Sequence, residues 1–239
     1  NNTFKVLIDY LKLNNEIMIR KDGLYQFDKD KEAVKSYFVD HINQNTVFFH
    51  NLKEKLDYLI ENDYYEKEFL DKYSFEQIKD VFDIAYNKEF RFPSFMSAFK
   101  FYNDYAMKTN DKKKILERYE DRVSIMALYL ADGNFNKAKD ICNLLINQDF
   151  QPATPTILNI GKSRRGELVS CFLLEVNDSL NDISKAIETA MQLSKVGGGV
   201  SLNVSKIRGK GESIKGIENA TKGVVGVMKL LDNAFRYAD

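Results

Sequence analysis

The run from Leu168 to Val176, LVSCFLLEV, narrows the folds open to this chain more than any other stretch. Leu168, Val169, Phe172, Leu173, Leu174 and Val176 make it nearly continuously apolar, and part of it is β-branched or aromatic. A short run of this kind reads as a strand covered on both faces, as in parallel sheets. The segment before it, GKSRRGE, is a loop, and strand-like TILNI precedes that loop after the two prolines of PATP. Asp178 or Ser179 then offers an N-cap for a helix whose apolar stripe is Leu180, Ile183, Ile187, Ala190 and Met191. That helix stops at Gly197-Gly198-Gly199, and Val200 to Val204 reads as the next strand. A Gly- and Lys-rich loop from Lys206 to Glu218 leads into an amphipathic helix from Val224 to Tyr237. Alternation of strand and helix predicts an α/β sheet over residues 151–239.

Residues 1–150 read differently, as a mostly α-helical domain. The strong breakers there are Gly23, Pro93 and Gly133, and apolar residues recur at helical spacing. Leu52, Leu56, Leu59 and Ile60 form one such set, and Phe69, Tyr73, Ile78, Val81 and Phe82 another. Phe92-Pro93-Ser94 marks a helix start, and Asp132-Gly133-Asn134 breaks a helix pair spanning Asp121–Tyr129 and Lys137–Asn147. The abundant Tyr and Phe of this half are expected to pack its core. Cys142 lies among Ile141, Leu144, Leu145 and Ile146 and reads as a core residue. Lys112 to Lys114 reads as a solvated turn.

Composition excludes several function classes. The 35 Lys and Arg balance 35 Asp and Glu, so no overall field recruits nucleic acid or an anionic membrane. No apolar run approaches the roughly 18 residues that span a bilayer, and the first residues lack the pattern of a secretory signal. Two cysteines make no disulfide framework, and a cytoplasmic setting is expected. His41 and His50 lack any metal-ligand pattern. The glycines at 197–199 follow a helix and precede a strand, the reverse of a dinucleotide fingerprint, and no phosphate-loop motif occurs. They permit a tight connection and close backbone approach. Taken alone, Cys171 is a packing cysteine, Thr154 a turn residue and Ser170 a neutral strand residue.

Longer words in the chain alter that reading. PATPTILN, RGELVSCFLL and GGGV, with LNNEIMI, NTVFFH, FRFPSFMSAFKFY, LERYEDRV and MKLLDNAF, resemble the large catalytic subunit of class I ribonucleotide reductases, with the nearest likeness to class Ib. The resemblance implies a helical domain followed by the first strands and helices of a ten-stranded α/β barrel, incomplete in this chain. It implies reduction of ribonucleoside diphosphates, with Cys171 as the redox cysteine that protonates the departing 2′-hydroxyl. Thr154, Ser170 and Gly199 fall at substrate-binding positions, the two hydroxyls on the diphosphate. Asp178, Ser179, Lys206, Arg208 and Lys215 fall at the site of an allosteric effector, a deoxynucleoside triphosphate or ATP, with Lys210 adding charge on the same loop. Asp178 would accept from the deoxyribose, and Arg208 would hold phosphate through its fork of donors.

The resemblance also implies what must come from elsewhere. Cys142 is a poor disulfide partner for Cys171, and the family's second cysteine and its Asn-x-Cys-x-Glu radical cysteine have no counterpart here. No metal or cofactor is expected in this chain; a metal-radical cofactor is expected in a separate beta subunit. Further expected partners are the remaining alpha subunit, a second alpha copy, and a glutaredoxin- or thioredoxin-like reductant. The rival reading is a non-catalytic nucleotide-binding or assembly module that keeps the effector pocket and the dimer helices.

Overall fold

The computed structural model describes Lys12, residues 31–196 and residues 198–238. The segment LNNEIMI and the breakers Gly23 and Gly197 lie outside the described residues. The chain divides into two compact units, Asn1–Pro152 with Ile160–Arg164, and Ala153–Asn159 with Arg165–Asp239.

The first unit is helical, as its spacing predicts. Among the described residues its helices of four residues or more are α1 (Lys31–Tyr37), α2 (Leu52–Glu61), α3 (Lys67–Leu70), α4 (Phe75–Asn87), α5 (Phe95–Lys100), α6 (Tyr119–Ala131) and α7 (Phe135–Ile146). A π turn extends α1 through Phe38–Ile42 and another extends α5 through Phe101–Tyr105. Side chains set the starts: Ser94 caps α5 and exchanges hydrogen bonds with Ser97, and Asn134 accepts from Lys137 N at 3.1 Å to open α7. Between α6 and α7, Asp132 turns left-handed at φ 47° and Gly133 follows at φ 88°, so the expected break is where Asp-Gly-Asn stands. Aromatic side chains do form core, with Tyr37, Phe95, Phe101 and Tyr102 buried together beside Ile42 and Ile115.

Helix α6 is buried nearly all round, from Asp121 through Leu128, and packs on α4 and α7. Three charged residues go in with it or just before it: Glu117, Asp121 and Arg122. Each is tied to partners, the condition for burying charge. Glu117 accepts from Tyr65 Oη at 2.6 Å and from Met107 N at 2.9 Å, and lies 3.4 Å from Arg122 Nε. Arg122 Nη2 donates to Ile160 O at 2.6 Å. Asp121 accepts from Tyr86 Oη and Arg118 N, both at 2.7 Å, and pairs with Lys55. The LERYEDRV stretch is therefore an ionic knot inside an apolar unit.

The second unit holds α8 (Thr154–Asn159), β1 (Cys171–Glu175), α9 (Leu180–Lys195), β2 (Gly199–Asn203) and α10 (Val224–Ala238). Strands β1 and β2 pair in parallel, with Cys171 opposite Gly199 and Glu175 opposite Asn203. Helix α9 makes the crossover and packs on both strands and on α10. Three sequence expectations fail here. TILNI is not a strand but most of α8: Pro155 sits in the first turn, where its missing N–H costs nothing, and Ile157 N bonds to Ala153 O at 3.1 Å. Nor is β1 covered on both faces. Phe172 and Leu174 are half-buried, whereas Cys171, Leu173 and Glu175 are exposed, Leu173 at 83%. With α9 against only one face of a two-stranded sheet, an apolar run still divides into a covered and an uncovered side. Leu180, expected in the α9 stripe, is also exposed, while Ala186 and Ala190 are buried.

Candidate functional site

The sheet brings three of the predicted residues together. Ser170 Oγ lies 3.6 Å from Cys171 Sγ, and Ser170 O accepts from Gly199 N at 2.8 Å. Cys171 is the first residue of β1 and its thiol is exposed, which corrects the expectation of a buried cysteine. Parallel register is why Gly199 meets this end of β1. Gly198 allows the close approach, since a Cβ there would fall 2.1 Å from the Phe172 ring. Thr154 begins α8, and that helix is laced to the segment entering β1. Thr156 Oγ1 donates to Leu168 O at 2.8 Å and Asn159 Nδ2 to Glu167 O at 2.9 Å. Thr154 is thus placed in the same unit as Ser170 and Cys171 and is exposed.

A second group gathers after β1 and β2. Ser179, not Asp178, caps α9, accepting from Asp182 N at 3.1 Å. Asp178 is left to pair with Arg208 Nε, while Arg208 Nη1 donates to Ser213 O at 3.0 Å. Lys206 reaches Glu175 Oε1 at 2.9 Å and Asn177 Oδ1 at 3.4 Å. Glu175, Asn177 and the Ser213 carbonyl were not singled out from the sequence; a carboxylate ending a strand and an Asn before the cap were the available signals. The loop carrying Arg208 is tied to itself: Gly211 N bonds Thr221 O at 3.1 Å, and Thr221 Oγ1 donates to Glu212 O at 2.8 Å. Gly223, at φ 74°, leaves room for the backbone of Lys210. Lys215 stands apart, exposed in a left-handed turn at φ 52°.

The other candidates resolve plainly. Cys142 is fully buried, its Sγ 3.5 Å from Val81 O, and burial pushes its thiol up to about 12. His41 stacks on Tyr37 at 5.5 Å, and burial followed by the nearby Lys108 charge lowers its pKa. Among the described residues no three His, Cys, Asp or Glu side chains cluster as a metal site, and no helix is long and apolar enough to cross a membrane.

Comparison with known proteins follows the same order along the chain. Residues 10–90 match the family described as ribonucleotide reductase N-terminal, and residues 91–165 match the ribonucleotide reductase all-alpha domain. Residues 169–239, which hold the sheet, match the ribonucleotide reductase barrel domain. The chain is 78% identical over 230 residues to the ribonucleoside-diphosphate reductase subunit alpha of Bacillus subtilis, covering 96% of this chain and 33% of that one. It is 47% identical over 238 residues to the subunit of the same name in Mycoplasma genitalium, covering 100% of this chain and 32% of that protein. The variola virus large subunit is 32% identical over 158 residues, 65% of this chain and 20% of its own. The chain thus spans about a third of the length of the bacterial relatives. With these matches running in register from residue 10 to residue 239, the chain belongs to the ribonucleotide reductase family, as a stretch of its alpha, or large, subunit.

Proposed function

We propose that the chain is part of the alpha subunit of a class Ib ribonucleoside-diphosphate reductase and supplies it with substrate contacts, one redox thiol and an effector site. The observation that carries the reading is the Ser170–Cys171–Gly199 junction: a hydroxyl beside an exposed thiol at the mouth of two parallel strands. A ribonucleoside diphosphate laid against this end meets the hydroxyls of Ser170 and Thr154 as donors to its phosphates. Cys171 then gives its proton to the departing 2′-hydroxyl, which leaves as water. Two thiols furnish the two electrons, ending as a disulfide, and hydrogen takes the hydroxyl's place on the sugar. The second thiol belongs to the remaining alpha chain, and a glutaredoxin- or thioredoxin-like protein reduces the disulfide for the next cycle. A separate beta subunit supplies, through its metal-radical cofactor, the oxidising equivalent that starts the chemistry.

Asp178 and Arg208 form the core of the effector site, with Ser179, Lys206 and Lys215 around it. Deoxynucleoside triphosphate or ATP binds by offering phosphate to the Arg208 fork and a sugar hydroxyl to Asp178. Apolar side chains left exposed on α10, among them Val225, Met228 and Leu230, support pairing with a second alpha copy. The test is the enzyme assembled from the whole alpha subunit, a radical-competent beta subunit, reductant and effector. Cys171→Ser is expected to abolish deoxynucleotide formation. Normal multiple turnover in that variant overturns the reading and favours the rival, a nucleotide-binding assembly module that keeps Asp178 and Arg208 but needs no thiol.

A further inference from the structure

Within the first unit lies a cavity of about 400 Å³ walled by the turn at 103–112 and by Lys162 and Arg164. One backbone bond and one bond to a side chain hold the two segments around Tyr64: Ser163 N donates to Tyr64 O at 3.0 Å, and Asn110 N to Tyr64 Oη at 3.3 Å. Four cations line this cavity, Lys108, Lys112, Lys162 and Arg164, against two carboxylates, Asp63 and Asp104. Both carboxylates are already engaged, Asp63 with Arg164 at 3.1 Å and Asp104 with Lys100.

Three ammonium groups therefore face the cavity without a carboxylate in ion-pair range among the described residues. Lys108 Nζ donates to Asn103 O at 2.8 Å and Lys162 Nζ to Tyr105 O at 3.3 Å, both neutral acceptors. Glu117, behind Lys162, already accepts from Tyr65 and Met107 and sits against Arg122. Burial brings Lys162 down to about 8. Burial lowers Lys108; the Asp104 carboxylate opposes this, and the like charge of Lys112 adds to it to a smaller degree. Gathering cations in a half-buried pocket costs solvation and mutual repulsion, and a bound anion offsets both. Phosphate suits three point-charge donors better than a planar carboxylate, which matches a guanidinium fork. Asn103 and Thr109 add neutral hydrogen-bonding groups to the wall.

We propose that this pocket binds a phosphate group, as free phosphate or carried on a small molecule, through Lys108, Lys112 and Lys162. The site shares no residue with the junction at Cys171 or with the Asp178–Arg208 pair. The experiment is calorimetric titration of the full chain with inorganic diphosphate at low salt, repeated with a nucleoside diphosphate. Saturable binding is expected that weakens about tenfold or more in Lys108→Met and in Lys162→Met, as loss of a charged hydrogen bond requires. It is expected to weaken at high ionic strength. Lys112→Gln, at an exposed position, removes one charge without touching packing and guards against a folding defect in the other two. Tighter binding of the nucleoside diphosphate with the same lysine dependence identifies a nucleotide as the carrier; equal binding identifies free phosphate. Absence of saturable binding, or binding indifferent to all three lysine substitutions, overturns the proposal.

Discussion

Cys171 and Cys142 show how far surroundings decide what one side chain can do. Cys171 opens a strand on an uncovered face; Cys142 is sealed between α7 and α4, with its thiol pushed up to about 12 by burial. Thiolate is the reactive form, so burial protects Cys142 twice, by access and by protonation. Native chain treated with iodoacetamide near neutral pH is expected to carry the label on Cys171 and not on Cys142. Equal labelling by peptide mass analysis would show that Cys142 is open to solvent and overturn its assignment to the core. Cys142→Ala should cost about 1–2 kcal/mol in chemical denaturation, the range for a small loss of packed volume. At the proposed effector site, Arg208→Ala removes charged hydrogen bonds and should weaken triphosphate binding by about 1.5–3 kcal/mol. Calorimetry finding the same affinity in Arg208→Ala and Asp178→Ala as in the parent counts decisively against that site. Family likeness marked both residues, but nothing local pairs them: they stand thirty positions apart, and their contact exists only because the segments after β1 and β2 come together.

At the scale of elements, α6 carries the clearest energetic consequence. Arg122 and Glu117 are both fully buried, so Arg122→Ala leaves a carboxylate in the core with its cation gone. Such a break costs about 3–5 kcal/mol. Denaturant unfolding of the variant should show it, and a loss below about 1 kcal/mol would mean that Glu117 finds other compensation. The segment that binds Arg122 through Ile160 also carries Lys162, whose pKa burial holds at about 8. In the unfolded chain a lysine titrates near 10.4, so between about pH 8 and about pH 10.4 the unfolded state holds more protons and stability rises with pH. Lys162→Met should flatten that rise and stabilise the chain at neutral pH, read as the midpoint of thermal unfolding across the window. A parallel pH dependence in parent and variant would remove Lys162 as its cause. Tyr65, raised well above its ordinary range by burial and then by Glu117, acts in the opposite sense above about pH 10, where stability is lost.

For the molecule as a whole, the second unit exposes what a larger sheet would cover. Among the described residues, strands β1 and β2 pair only with each other, and Leu173 stands on the open face. Unpaired edges and exposed apolar surface invite further strands. Residues 1–239 with beta subunit, reductant and effector are therefore expected to give no turnover until the remaining alpha chain is added. Steady deoxynucleotide formation without it would overturn the assignment of a single redox thiol to this chain. How much of this was open to a reader of the sequence depends on how local the deciding interaction is. Ser94, the Asp132-Gly133-Asn134 turn and the start of α9 were legible because a cap or a turn is settled by residues within a few positions. The family, too, was legible, since ordered words such as RGELVSCFLL and FRFPSFMSAFKFY survive in a linear reading. The helix at TILNI, the bare face of β1 and the Glu117–Arg122 pair were not. Burial and long-range pairing belong to whatever packs from elsewhere in the chain, and an apolar run carries no record of which of its faces will meet a neighbour.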